Sequence, residues 1–373
     1  MAGHEVTIEW NGRPARAWLP DPITARTLEV PVEVARATER AAGAVVRVGD
    51  RLPSSWEPLA RLLLRAEGIA SSNIEGLRAP SAQVAAAELD STAATHDAAL
   101  VAWNQAVVSE ALEHAATKRR LTVATLHAWH RRLMQDADLP RSLLGAFRGT
   151  QGWIGGRGPQ DAAYVPPPAA DVPALMDDLV AFMNTREADA VTQAGVGHAQ
   201  FETIHPYGDG NGRIGRLLVL WTFRRRLGVA VPPPTSVVIA RDAGGYLSGL
   251  YWFRSGELAR WIRWFTEVVN TSAIAALEWA DEVDALLSEW RARLANLRTD
   301  AAARAIVEIL PAHPVISVAN AAHLVGVSDT AARTAIEQLH ARRIVEPYAV
   351  PGRTPGRPRA WWLARELADL VRG

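Results

Sequence analysis

Residues 205–216 read HPYGDGNGRIGR, and this stretch decides how the rest of the chain is organised. The segment before it, AGVGHAQFETI, has helical spacing. The segment after it places Ile214, Leu217, Leu218 and Trp221 on one helical face and runs to Leu227 before Gly228. A glycine-rich loop therefore opens a helix. Free backbone N–H groups and the positive end of the helix dipole meet there.

Arg213 and Arg216 lie three residues apart on that helix and share a face. Two cations at a helix N-terminus are each unfavourable by ~0.3–1 kcal/mol, so the arrangement calls for an anion. Gly208, Gly210 and Gly212 let the backbone approach that anion closely. Asp209 is the lone carboxylate in a cationic loop and is suited to a Mg²⁺ bridging phosphates. His205, the only nearby side chain titrating near neutrality, is the candidate general base. Phosphates, a metal and a base together describe a nucleotide-transfer site.

Composition excludes several competing chemistries. The 373 residues contain no cysteine, which removes thiolate nucleophiles, disulfides and cysteine-ligated metals. Lys118 is the only lysine among 40 basic residues, and no glycine-rich loop precedes it. Walker A and Schiff-base chemistry are thereby disfavoured. The formal net charge is zero, so any nucleic-acid contact would have to be local. No apolar run reaches the ~18 residues of a membrane span, and the first residues lack a signal-peptide core. The expectation is a soluble cytoplasmic protein.

The pattern along the chain predicts a mainly α protein with small β accessories. Residues 1–30 read as irregular or as short strands. Helical spacing runs from Pro31 to about Ile69, broken at Gly49–Pro53. Further helices are expected from Ser81 (as N-cap) to Leu89, Asp97 (as cap) to Ala116, Val123 to Met134, and Val172 to about Arg298. Gly and Pro dominate residues 145–168, where Trp153–Ile154 and Tyr164–Val165 are two β-prone pairs, as in a hairpin flap. The segment 301–373 offers helix, β-prone VIS, helix, Gly326 turn, helix, then two short strands, the order of a winged helix-turn-helix. Three domains are expected: 1–95, 96–298 and 299–373.

Residues His205 to Arg216 resemble the HPFx[DE]GNGRxxR motif of the Fic (filamentation induced by cAMP) family, with Tyr207 in place of the usual Phe. The added hydroxyl needs a partner. The likeness extends from about residue 30 to 290, and winged-helix C-termini are common in the family. The resemblance implies transfer of AMP from ATP to a hydroxyl of a target protein. It implies His205 as the base, Asp209 as the Mg²⁺ ligand, and Asn211 with the glycine amides on phosphates. Arg213 and Arg216 would hold the β- and γ-phosphates. Ser71, Glu75 and Gly76, in SSNIEG, match the family's inhibitory motif [ST]xxxE[GN]. Glu75 would supply an anion to Arg216 and keep ATP in an unreactive pose.

Further roles are fainter. Trp153, Ile154, Tyr164 and Val165 would dock an extended target segment by β-augmentation, or merely pack on their own core. Tyr246 and Leu250 read equally as adenine pocket or as plain core. His127 and His130 in LHAWH read as a helix face rather than a metal pair. His198 and Glu202 read as stabilisers of their helix. In the C-terminal segment Arg333, Arg342 and Arg343, with Arg353, Arg357 and Arg359 of the wing, make a modest basic surface. DNA binding and protein binding or homodimer formation stay even there. The leading reading is an autoinhibited protein adenylyltransferase, and the alternative is a DNA-binding regulator with a nucleotide-sensing core.

Overall fold

The structure is a computed structural model that describes residues 3–25, 27–52, 57–90, 94–349 and 360–370. It is mainly α, with two small antiparallel sheets. Its centre is α2 (Glu57–Ile74), buried continuously from Leu62 to Ser72. A stretch of helix buried on all sides lies inside a core, and its polar side chains must find partners there. They do. Glu67 accepts the Ser236 N–H at 2.8 Å and the Ser236 hydroxyl, capping α9 (Thr235–Arg241). Asn104 of α4 (His96–Ala116) donates to Gly68 O at 3.0 Å and to Ser72 Oγ at 3.2 Å. Arg65 donates to both carboxylate oxygens of Glu88 in α3 (Ser81–Leu89), at 2.8 and 2.6 Å, and to Ala312 O at 2.6 Å.

Against α2 lies the antiparallel pair α7 (Ala190–Ile204) and α8 (Asn211–Leu227), joined by the motif loop. All of α7 and α8 through Phe223 is buried. The 36-residue α11 (Leu258–Arg293) runs along α1 (Val32–Arg51) and leads into the C-terminal elements. Helices α5 (Val123–Leu133), α6 (Val172–Met183) and α10 (Ala243–Arg254) complete the core. Two expected caps move by one or two residues. Pro80 precedes α3 and Ser81 makes no cap bond, while Thr95 caps α4 through Ala98 N.

The first residues are more ordered than expected. Strands β1 (Gly3–Trp10) and β2 (Arg13–Pro20) pair over eight positions. Asn11 and Gly12 turn between them with φ of 51° and 71°, the left-handed pair that a two-residue hairpin needs. The flap, by contrast, is reduced to one antiparallel bridge, Ile154 to Tyr164. Positive φ at Gly155 and Gly156 turns the chain there.

After α12 (Ala302–Ile309) come β3 (Val315–Ser317), α13 (Val318–Val325), a left-handed Gly326, and α14 (Asp329–Ala341). Strands β4 (Glu346–Tyr348) and β5 (Trp361–Leu363) form a sheet of order β3-β5-β4, and α15 (Arg365–Leu370) follows. Arg353, Arg357 and Arg359 lie outside the described residues. Arg342 is committed internally, donating to Arg293 O, Gln338 O and Asn296 Oδ1. The C-terminal elements sit on α3, where Ala82, Ala85 and Ala86 pack with Val315, Trp361, Leu363 and Ala368. No helix among the described residues is long and apolar enough to cross a membrane.

Candidate active site

Helix α7 ends at His205, which takes the left-handed conformation (φ 49°, ψ 62°) and donates its N–H to Phe201 O at 2.9 Å. Such a backbone is uncommon outside glycine and persists where its surroundings enforce it. Arg148 supplies part of that enforcement. It is 5% exposed and donates to His205 O at 2.9 Å, to Thr150 O at 3.0 Å and to Pro167 O at 2.5 Å. It thus ties the end of α7 to both sides of the flap.

The loop is then closed by Asn211. Its Oδ1 accepts the Tyr207 N–H at 2.8 Å and its Nδ2 donates to Tyr207 O at 2.9 Å. The side chain thereby staples the loop, with its second Nδ2–H left over for a ligand. Gly208 lies exposed on the loop, and Gly210, with φ of 75°, begins α8 and donates its N–H to Asp209 Oδ1 at 2.6 Å. The Asp209 side chain is 59% exposed, with Oδ2 4.0 Å from Arg213 Nη2.

Two histidines outside the motif fix the loop from below. His130 Nε2 lies 3.0 Å from Asp209 O, and its Nδ1 accepts the Gly145 N–H at 2.9 Å. Its ring stacks on Tyr207 at 3.9 Å and 10°. His127 Nδ1 lies 3.2 Å from the Tyr207 hydroxyl, the partner which that hydroxyl needed. Burial pushes His130 down to about 4, so it serves as a neutral support. The helix-face reading of LHAWH missed this role.

Ser71, Glu75 and Gly76 come to the opposite side. Arg216 donates from Nε to Ser71 Oγ at 3.0 Å, and from Nη2 to Ser71 O and Glu75 Oε1, both at 2.8 Å. Gly76 (φ 83°) ends α2. Its N–H bonds Asn73 O and that of Leu77 bonds Ser72 O, the paired bonds of a Schellman cap. That cap holds Glu75 over the loop. A Cβ on Gly212 would stand 1.9 Å from Glu75 Oε1. Glu75 therefore occupies the N-terminus of α8, where a carboxylate is favoured, although it sits at the C-terminus of its own helix, where it is not.

Arg213 differs. Its side chain is 3% exposed, and beyond Asp209 its nearest partner is the Met134 sulfur at 3.2 Å. Its Nε and Nη1 have no acceptor among the described residues. Orphaned guanidinium donors beside an exposed carboxylate suit a Mg²⁺–phosphate group, so the residues fit that pair.

His205 is 24% exposed at its side chain, but Nδ1 is enclosed and without a partner. Burial pushes the ring down to about 4, so it is an unprotonated base near neutrality. Glu202 stands one turn before it, 7% exposed, and burial pushes its carboxyl up to about 8. Tyr246 and Leu250 are both buried, and the Tyr246 hydroxyl lies 3.0 Å from His198 Nε2. Of the flap residues, Trp153 and Ile154 are exposed (37% and 39%), with Trp10 packed edge-on against Trp153 at 5.2 Å. Tyr164 points inward, donating to Thr203 O at 2.6 Å, and Val165 O accepts the Trp18 N–H at 2.9 Å. That side of the flap is therefore already paired with β2.

The family model "Fic/DOC family" matches residues 120–223. The chain is 28% identical over 153 residues to a protein adenylyltransferase Fic of Drosophila grimshawi, covering 40% of this chain and 29% of that one. It is 42% identical over 59 residues to a probable protein adenylyltransferase of Aquifex aeolicus, covering 16% and 18%. The chain thus spans under a third of the length of those relatives. A crystal structure of a Fic family protein from Desulfovibrio desulfuricans superposes with a TM-score of 0.56 at 21% identity, covering 90% of this chain and 98% of that one. Loop, helix pair and matches agree on a Fic/DOC domain at residues 120–223, and the fold is that of the solved Fic family protein.

Proposed function

We propose that this chain is a protein adenylyltransferase that moves AMP from ATP to a hydroxyl of a protein target and of itself, and that it is held back by Glu75. The observation that carries the reading is the Glu75 carboxylate lying against Gly212 and bound to Arg216, where a phosphate of ATP would otherwise sit. The relatives named adenylyltransferases support the nucleotide, and the orphaned donors of Arg213 support a polyphosphate.

In this reading His205 takes the proton of the target hydroxyl. The hydroxyl oxygen attacks the α-phosphorus, the bond to the bridging oxygen of the β-phosphate breaks, and pyrophosphate leaves. Arg213 holds the leaving phosphates, and Arg216 joins it once Glu75 withdraws. Asp209 would hold Mg²⁺, which when bound neutralises phosphate charge. Trp153 and Ile154 offer the open side of the flap to the target. The C-terminal segment 299–373 is proposed as a winged helix that chooses partners, with 1–95 carrying the inhibitory helix and 96–298 the catalytic core.

The test is intact-mass spectrometry of wild type and Glu75→Gly incubated with ATP and Mg²⁺. The variant gains mass in AMP steps faster than wild type. Equal rates would reduce SSNIEG to the end of a helix.

A further inference from the structure

We propose that the groove behind the end of α2 binds a free amphiphilic carboxylate, a small molecule with an apolar chain and one anionic head, and that this ligand holds Glu75 on Arg216. The second half rests on the reading of Glu75 as the inhibitory carboxylate. The last turns of α2 present two faces. Ser71 and Glu75, one turn apart, meet Arg216. Ala66, Ile69, Ala70 and Asn73 follow the i, i+3, i+4, i+7 spacing of the other face. They line a cavity of about 640 Å³ shared with α9, residues 78–80 and the start of α10. Small-molecule sites occupy ~300–1,000 Å³, so the size fits.

The lining sets the chemistry of the occupant. Ile69, Ile74, Pro80 and Val237 give the groove apolar walls. Helices α2 and α9 pack together, and Ala70 and Ala240 are too small to fill the space beside their contact. No Asp or Glu lines the groove, and its charged residues are Arg78 and Arg241, both exposed. Neither guanidinium makes an ion pair or hydrogen bond among the described residues. Asp242, next to Arg241 in the chain, is committed elsewhere. It accepts the Gly245 N–H at 2.9 Å and the Trp264 indole N–H at 3.3 Å. Two arginines without an anion, beside an apolar hollow, complement a carboxylate that carries a hydrocarbon tail.

The groove and the inhibitory contact share one turn of helix. Asn73 and Ile74 belong to the turn that carries Glu75, which ends at Gly76 two residues before Arg78. If Glu75 leaves Arg216 by unwinding that turn, Asn73 and Ile74 leave the groove wall with it. A bound ligand therefore favours the closed contact. It can shift that equilibrium only by its differential affinity for the two states, and the shift is reciprocal.

Decanoate is the probe, titrated calorimetrically into the full chain, with hexanoate and decyltrimethylammonium as comparisons. Decanoate should saturate one site, hexanoate should bind about tenfold or more weakly, and the cation should not bind. Arg78→Ala combined with Arg241→Ala should weaken decanoate about tenfold or more. Ala240→Phe, also at an exposed position, fills the groove and should abolish binding. Decanoate should bind wild type several-fold more tightly than Glu75→Gly, and should slow AMP transfer by wild type alone. No saturable binding, equal binding of the cation, or indifference to both arginines would overturn the site. Phosphatidylglycerol vesicles or an oligo-glutamate peptide binding there in place of decanoate would overturn it as well. Equal affinity for wild type and Glu75→Gly would overturn the coupling. Affinities as expected, with no AMP transfer by Glu75→Gly, would count against the adenylyltransferase reading alone.

Discussion

Arg213 and Arg216 lie one turn apart on the same helix, yet the structure treats them in opposite ways. Arg216 is 1% exposed and satisfied, with Ser71 on two of its bonds and Glu75 on a third. Arg213 is equally enclosed but has two donors without an acceptor. A buried cation normally needs an anion or it destabilises the fold. The difference teaches that the anion site at the start of α8 has two halves. The chain meets one cation with its own carboxylate, and in the proposed reading the phosphates of a ligand meet the other.

The largest expected effect breaks both halves at once. His205→Ala in the Glu75→Gly background should lower AMP transfer by ~10²–10⁴-fold, with ATP affinity kept within a few-fold. Nucleotide titration beside the rate assay checks this, and most of the turnover surviving would remove His205 from the chemistry. Next comes the latched half. Glu75→Gly should raise transfer by roughly 10²-fold, since ~1 Å of misplacement costs that much, and adding Arg216→Ala should cancel the gain.

The open half is tested by Arg213→Ala. In the Glu75→Gly background it should weaken ATP by roughly 10- to 150-fold, the ~1.5–3 kcal/mol of hydrogen bonds to a charged group. In the ligand-free wild type it should leave the melting temperature unchanged or higher, because an unsatisfied buried cation is removed. A stability loss as large as that of Arg216→Ala would erase the contrast between the two arginines.

The smallest effect concerns the frame that both arginines share. Burial holds His130, His198 and His205 at about 4, 3 and 4, below the ~6.5 of the unfolded chain. Unfolding then takes up protons below pH ~6.5. Their contribution to stability is complete above that pH and is lost as pH falls toward ~4. Glu202, raised to about 8, acts in the opposite sense between ~4.3 and 8. Melting curves of wild type and His130→Gln across this range should show a shallower acid decline in the variant. Parallel curves would mean that His130 does not hold the loop as a neutral ring.

Much of this was legible in the sequence, because the motif carries its own spacing. The order His205, Asp209, Arg213, Arg216 and the glycines between them fixed the loop and its helix, and SSNIEG pointed to the contact that holds Arg216. What escaped is instructive. Arg148, His127 and His130 act through burial and through partners far along the chain, and local pattern carries neither. His130 reaches Asp209 across 79 positions. The stapling of Tyr207 by Asn211 was hidden too, because its inward turn depends on loop geometry rather than on residue type. The hairpin at residues 3–20 was within reach, since Asn11–Gly12 between β-prone runs is a strong turn signal, masked here by the prolines near it.

Arg65 has a consequence for anyone who would divide this chain. Its guanidinium joins α2, α3 and the carbonyl of Ala312, beyond the boundary that composition suggests near residue 298. Cutting there would expose the alanine face of α3 and take one acceptor from a cation with 0% side-chain exposure. The segment that carries Ser71 and Glu75 is thus braced by residues from the far end of the sequence. A shortened fragment would report on a differently supported α2, and rates measured on it would not transfer to the whole chain.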